Sequence, residues 1–600
     1  MTEYQEKYLA NIQRINELSD IYSVPLSDFD SWYEMQISHT EEIRKLKNEN
    51  INLLNRHLFS MLDNLHDASE EDIHDLEEFS DKLMDWVNNL DCGLYVLIHD
   101  SLLSLYRFRK DRNNIIKELY KLGMGLFYLD RKIQGLEKEW STPFRFTNEM
   151  VFTEAGSYIS FFEDIEDTET KGYIIRALAN IAICTPDNKR KVAVSSRILK
   201  IIQDDYYRNL APELPWDVFL RRSQQQMSSN RSVLSKGDLN QNELAEILEA
   251  CQVVFEPEKN NKNPNIRWLW PYYEMEYTCG FVDTQTTLDR IEEIINGVPD
   301  DQYDQSSLYA NVQLAIYYGR LIKENPSVQK KQKNRDFLKA SYQKMMKVMM
   351  TCPPAQYNDF YHYLINLVFS NYYETEGVET YKKITTRLMR KVIGLTYTDS
   401  QKVGKIIEAY CTAIFRQDKT FFDDIPFIGA INDETVKEEE LRKYARECGL
   451  YYNFGLIKMT TDKTDLYRAM LENEFQMYKL HVHAGHDDLK IRASTERFAD
   501  IAFGHHRWYN EAGGYPDEYV RNNTPYRQMV DIVAVASYMK DNFNGNFDAL
   551  VNEIISLEHK QFSPIITSYL HDRKLTEELR DILCGDDKPY FLKLYNQLAE

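Results

Sequence analysis

Apolar residues recur along this chain at spacings of three and four, with polar residues between them. In INLLNRHLFSMLDNL (Ile51–Leu65), Leu54, Leu58, Met61 and Leu65 form one stripe, the pattern of a half-buried helix. SEEDIHDLEEF follows, and Ser69 with acids directly behind it predicts a capped helix start. LYVLIHDSLLSLYRF (Leu94–Phe108) and NNIIKELYKLGMGLFYL (Asn113–Leu129) are apolar on more than one side, so each is expected at the centre of its unit. Strict apolar/polar alternation is rare, and Gly (22) and Pro (17) are scarce for 600 residues. Together these features predict an all-α protein. A single core stops growing at roughly 250–300 residues, so about three or four units are expected.

Polar stretches suggest where the units part. A first helical domain is expected over 1–140 and a second over 147–255. RRSQQQMSSNRSVLSKGDLNQN (Arg221–Asn242) and EPEKNNKNPN (Glu256–Asn265) read as loops or linkers, the second being the better boundary because it is dense in Asn, Lys and Pro. Residues 268–393 then read as helix pairs. YYEMEYTCGF precedes TLDRIEEIINGVP, LYANVQLAIYYGRLI precedes NRDFLKASYQKMMKVMMTCPP, and NDFYHYLINLVFSNYYETEG precedes VETYKKITTRLMRKVI. Each pair has a tyrosine-rich first helix, a polar turn and an aliphatic second helix, at a period of about 40 residues that suits a stacked array. The array loosely resembles tetratricopeptide repeats, without their full residue signature. That resemblance implies a protein or peptide partner on a concave face; packed helices with no ligand are the alternative. The last domain is expected over 396–600.

Composition narrows the function. The net charge of −22 argues against a nucleic-acid binder, which needs a basic surface to displace counterions. The short basic runs RFRKDR (Arg107–Arg112) and NKRK (Asn188–Lys191) read as solvated helix faces or turns. None of the eight cysteines forms a C-x-x-C pair, so they read as buried thiols of a reducing compartment. The opening MTEYQEKYLANIQR is polar, and no window approaches 18 consecutive apolar residues. The expectation is a cytoplasmic protein without a membrane span. The sequence contains no P-loop, no G-x-G-x-x-G, no G-x-S-x-G elbow and no H-E-x-x-H.

Seven of the thirteen histidines lie in the last domain, at 481, 483, 486, 505, 506, 559 and 571. Imidazole is a common ligand for transition metals, and two or three converging rings make a site. His505 and His506 are adjacent in AFGHHRWYNEAGGYPDEY (Ala502–Tyr519). On a helix, neighbours point about 100° apart, so such a pair suits a helix passing between two metal positions. His481 in KLHVHAGHDDL is the third candidate ligand.

The order of these elements resembles the HD-GYP phosphodiesterases, helical metal-dependent hydrolases of cyclic dinucleotides. ENEFQMYKLHVHAG (Glu472–Gly485) matches the segment before the histidine pair, with His481 at a ligand position, and AFGHHRW supplies the pair. Gly514, Tyr515 and Pro516 form the Gly-Tyr-Pro element, and VDIVAVAS (Val530–Ser537) matches the segment that follows. The resemblance implies metal ligation by His481, His505 and His506, with Asp399 of TDSQKV at an early ligand position. It implies substrate contacts from Gly514, Tyr515, Pro516 and Asn453.

The chain also departs from that pattern. In LYYNFGL (Leu450–Leu456), Tyr452 stands where the family has the histidine of its His-Asp dyad, Asn453 replaces the aspartate, and Leu456 replaces a lysine. The last metal carboxylate falls on Ser537, and the NEAGGYP loop is one residue long against the usual spacing. A two-metal mechanism needs carboxylates that bridge and neutralise the ions. The expectation is therefore a degenerate, inactive domain. It would hold at most one divalent ion (Fe, Mn or Zn), weakly, and release it in mild acid as the histidines protonate. The implied role is bacterial signalling with a cyclic dinucleotide as ligand, and a homodimer is compatible with it. An atypical metal-dependent phosphodiesterase and a purely structural scaffold are the alternatives.

Overall fold

The computed structural model describes residues 1–19, 28–84, 91–131, 147–185, 187–229, 239–352, 393–458 and 467–599, with a few single positions between these stretches. The described residues contain helices and connecting turns but no β-strand, so the protein is all-α. No described helix is long and apolar enough to cross a membrane. The chain divides into two compact units. One comprises Met1–Asn16, Lys45–Tyr372 and Leu466–Asn473; the other comprises Glu17–Arg44, Tyr373–Asp465 and Glu474–Glu600.

In the first unit the helix starts follow local chemistry. Ser69 caps Glu70–Leu83 through a capping box: its hydroxyl accepts from the Asp72 N–H at 3.1 Å, and the Asp72 carboxylate accepts from the Ser69 N–H. Helix Cys92–Arg109 buries Leu94, Val96, Ile98, Leu102, Leu103 and Leu105, and it packs against Arg112–Arg131. That burial all round is what its continuous apolar character requires. Between the two helices His99 Nδ1 meets Glu118 Oε2 at 2.5 Å, with both side chains fully buried. The stripe at Ile51–Leu65 is not one regular helix. Phe29–Leu53 runs into a π-helical turn, Leu54–Leu58, which keeps Leu54 and Leu58 buried but leaves Met61 half-buried. The extra residue of the wider turn explains the lost register.

Segment 467–470 belongs to this unit through charge. Arg468 donates to Asp91 from Nη2 at 2.6 Å and from Nε at 3.0 Å, with both side chains 3% exposed. Asp91 also caps the helix behind it, accepting from the Leu94 N–H at 2.9 Å, and accepts from the Tyr8 hydroxyl at 2.7 Å. Burial alone would push the Asp91 carboxyl up; the Arg468 guanidinium and these hydrogen bonds more than offset it and hold it below its ordinary value.

The polar stretch Glu256–Asn265 lies inside the first unit. Phe255 stacks on Tyr272 at 4.6 Å across it, and Asn265 caps Ile266–Thr278. Helix Ile266–Thr278 packs on Thr284–Gly297, which packs on Ala315–Glu324, which packs on Gln332–Thr351. These are the first two of the three helix pairs read from the sequence. The third, over 358–393, lies outside the described residues except for a few positions. Arg221–Ser229 is the end of helix Trp216–Ser229, and the rest of that polar stretch up to residue 238 is also outside them.

In the second unit the long helix Gly394–Gln417 is central. It packs against Glu434–Tyr451, Arg527–Asn542, Arg573–Cys584 and Lys588–Ala599. An aromatic cluster of Phe29, Trp32, Tyr33, Phe591 and Tyr595 fixes the last of these helices within the same unit.

Candidate metal centre

The three histidines stand at the ends of two neighbouring helices. His481 opens His481–Lys490, and His505 is the C-cap of Ala499–Gly504. The helix does not run through the His505–His506 pair. It stops at Gly504, so the 100° separation of helical neighbours does not apply and both rings turn to the same side. The ring centroids of His481 and His505 lie 5.5 Å apart, those of His481 and His506 5.3 Å, and those of His505 and His506 4.1 Å. One ring nitrogen from each lies within 4.8 Å of the others.

Backbone carbonyls orient two of the rings. His481 Nδ1 lies 2.7 Å from the Tyr478 carbonyl, and His505 Nδ1 lies 3.0 Å from the Ala502 carbonyl. A carbonyl only accepts, so each Nδ1 carries the proton and each Nε2 presents its lone pair. Those Nε2 atoms are buried and have no hydrogen-bond partner. His481 is fully buried and His505 is 2% exposed. Two orphaned buried acceptors facing a third imidazole fit a metal ion, which would satisfy all of them.

Burial lowers the His481 pKa to about 4. Burial first, and then His481 beside it, lowers that of His505 to about 3. Burial, and then the neighbouring His505 and His481 rings, move that of His506 well down. The rings are therefore neutral, as ligation requires, far below the pH at which free imidazole protonates.

Two glycines permit the close approaches that build the site. Gly455 lies against the backbone of His481; a Cβ there would stand 1.9 Å from the His481 carbonyl oxygen. This brings the segment Phe454–Lys458, with Asn453 just before it, against the histidine helix. Asn453 is 8% exposed, and its Oδ1 has no partner. Gly514 has φ +73°, and a Cβ there would stand 2.1 Å from the His506 carbonyl oxygen. The Gly-Tyr-Pro loop thereby folds back on the histidine pair: the Tyr515 N–H donates to the His506 carbonyl at 3.2 Å. The Tyr515 ring then stacks on His506 at 4.5 Å and 27°. Pro516 is buried beside it, and Gly514 itself is exposed.

Tyr452, where the family has a histidine, sets its ring edge-on to His505 at 5.1 Å and is 3% exposed. It walls the triad with a phenol instead of offering an imidazole. Ser537 is buried, but its hydroxyl turns back onto the Ala534 carbonyl at 3.2 Å. Asp399 does not join the triad. Its carboxylate pairs with Lys540 Nζ at 2.7 Å and is half exposed. His483 and His486 flank Phe503 instead, and His486 pairs with Asp487 at 2.9 Å. Tyr478 was not singled out in the sequence. It anchors His481 through its carbonyl and packs its ring at 4.7 Å; its position three residues before the ligand, one helical turn away, is the signal that could have found it.

Compared with protein-family models, with curated proteins and with solved structures, the chain finds no match.

Proposed function

We propose that the second unit is a degenerate HD-GYP-like domain that binds one divalent transition-metal ion through His481, His505 and His506 and does not hydrolyse phosphodiesters. The observation that carries this reading is the pair of carbonyl-anchored, buried imidazoles whose Nε2 atoms have no partner beside a third ring. Three neutral nitrogens suit zinc or iron better than manganese, magnesium or calcium, which favour oxygen ligands. The ion would supply a Lewis acid with open coordination positions, and Tyr452, Tyr515 and Asn453 would shape what reaches it. A phosphate group of a cyclic dinucleotide is the ligand that the resemblance suggests.

The depressed pKa values change the expected acid response. The ligand nitrogens stay neutral through the mildly acidic range, so ion release belongs nearer pH 4 than pH 6.

Hydrolysis is not expected, because among the described residues no carboxylate joins the three histidines to bridge a second ion. Incubation with cyclic dinucleotides and manganese or iron should leave the substrate intact. Turnover that disappears in His505→Ala would overturn this reading in favour of a phosphodiesterase.

The metal-free protein carries its own pH signature. His481 and His505 have folded pKa values of about 4 and about 3, against 6.5 for the free side chain. Above pH 6.5 neither the folded nor the unfolded state binds the proton, and their full contribution is present. As pH falls from 6.5 toward 4, the unfolded chain takes up protons that the folded chain refuses, so stability is lost. The melting temperature of the second unit should therefore drop between pH 7 and pH 5. The drop should be smaller in His505→Ala, which removes one of the refusing groups. An identical slope in both proteins would contradict the burial of these rings.

A further inference from the structure

Two Asn-Gly dipeptides occur in the chain, Asn296-Gly297 and Asn544-Gly545. Such a pair reacts with itself when the glycine amide nitrogen attacks the side-chain carbonyl carbon of the asparagine. Glycine hinders that attack least, because it has no Cβ and turns freely. The fold decides which pair has the freedom to react.

Asn296-Gly297 ends helix Thr284–Gly297. A helical N–H points back to the carbonyl one turn earlier, so the Gly297 nitrogen is held away from the Asn296 side chain. Asn544-Gly545 lies in the turn between helices Arg527–Asn542 and Phe547–Ser556, with both residues exposed. Gly545 has φ +95°, and a Cβ built on it would meet nothing within 4 Å. Among the described residues no hydrogen bond holds its N–H. The Asn544 side chain is already ordered: its Oδ1 accepts from the Asn546 N–H at 3.1 Å. That N–H points at the oxygen on which negative charge develops during attack on Cγ, the placement of an oxyanion donor.

We infer that Asn544 is a site of spontaneous deamidation assisted by this turn, and that the helix protects Asn296. The Gly545 nitrogen gives its proton to solvent and bonds to Asn544 Cγ. The Cγ–Nδ2 bond breaks, and Nδ2 takes a proton back and leaves as ammonia. The cyclic imide adds one water at either carbonyl and opens to aspartate or to isoaspartate; nothing is oxidised or reduced. Each event adds a negative charge just before Asn546, which caps Phe547–Ser556 by accepting from the Ala549 N–H at 3.1 Å. The isoaspartate product also lengthens the main chain leading into that helix, whose Phe547, Leu550 and Ile554 are buried.

The test incubates the full-length chain in mildly alkaline buffer and follows it by native ion exchange and peptide mass spectrometry. In the folded protein Asn544 should turn to acid while Asn296 stays an amide. In denaturant, which frees both pairs, the two should react at similar rates. Asn544→Gln, whose longer side chain does not close the same ring, should lose the charge shift, and its melting curve reports that it folds. Asn544 as inert as Asn296 in the folded chain would overturn the inference. So would equal reaction of both sites in the folded chain, or a charge shift that persists in Asn544→Gln.

Discussion

His505→Ala is expected to lower the chain's affinity for zinc by more than about 100-fold, beyond the loss that follows from removing an outer partner alone. His505 is one of the three converging rings, 4.1 Å from His506 and 5.5 Å from His481, and its Nε2 is buried without a partner. Its removal leaves two imidazoles, too few for a closed or catalytic zinc set. The fold should tolerate the change, because an unsatisfied buried nitrogen is lost along with the ring volume. Equilibrium dialysis with zinc measures the effect; undiminished binding would place the ion elsewhere.

The second large effect lies in the first unit. Arg468→Ala leaves Asp91 charged, buried and without its cation, and breaking such a pair from one side costs about 3–5 kcal/mol. The loss should appear as faster hydrogen exchange in helix Cys92–Arg109, whose first turn Asp91 caps. Pairing Arg468→Met with Asp91→Asn should recover much of it, since the neutral amide still accepts from Leu94 and no ion is stranded. Exchange unchanged in Arg468→Ala would show that the pair does not hold segment 467–470.

The helical class was legible because period and capping are local. Ser69 illustrates this: the acids behind it predicted a helix start, and the capping box sits there. The π-helical turn at Leu54–Leu58 was not legible, since one extra residue per turn leaves no mark in an apolar stripe. The division into units was also hidden. Arg468 is far from Asp91 in sequence, and only the folded chain shows that the charge of one satisfies the other.

At the candidate site, the identities of His481, His505 and His506 could be read in advance, but not how adjacent rings share one side. That depends on a helix stopping at Gly504, which nothing in AFGHHRW announces. The placement of Asp399 depends on a lysine from another helix, Lys540, and pairings of that kind are tertiary. The depressed histidine pKa values come from burial, which a residue pattern does not report.

The account turns on whether one ion sits on three rings, and anomalous X-ray scattering from zinc-loaded crystals of the whole chain tests that directly. The predicted result is a single zinc peak per chain about 2.0–2.1 Å from His481 Nε2, from His505 Nε2 and from one nitrogen of His506. Two strong peaks per chain, or one peak away from these rings, would contradict it.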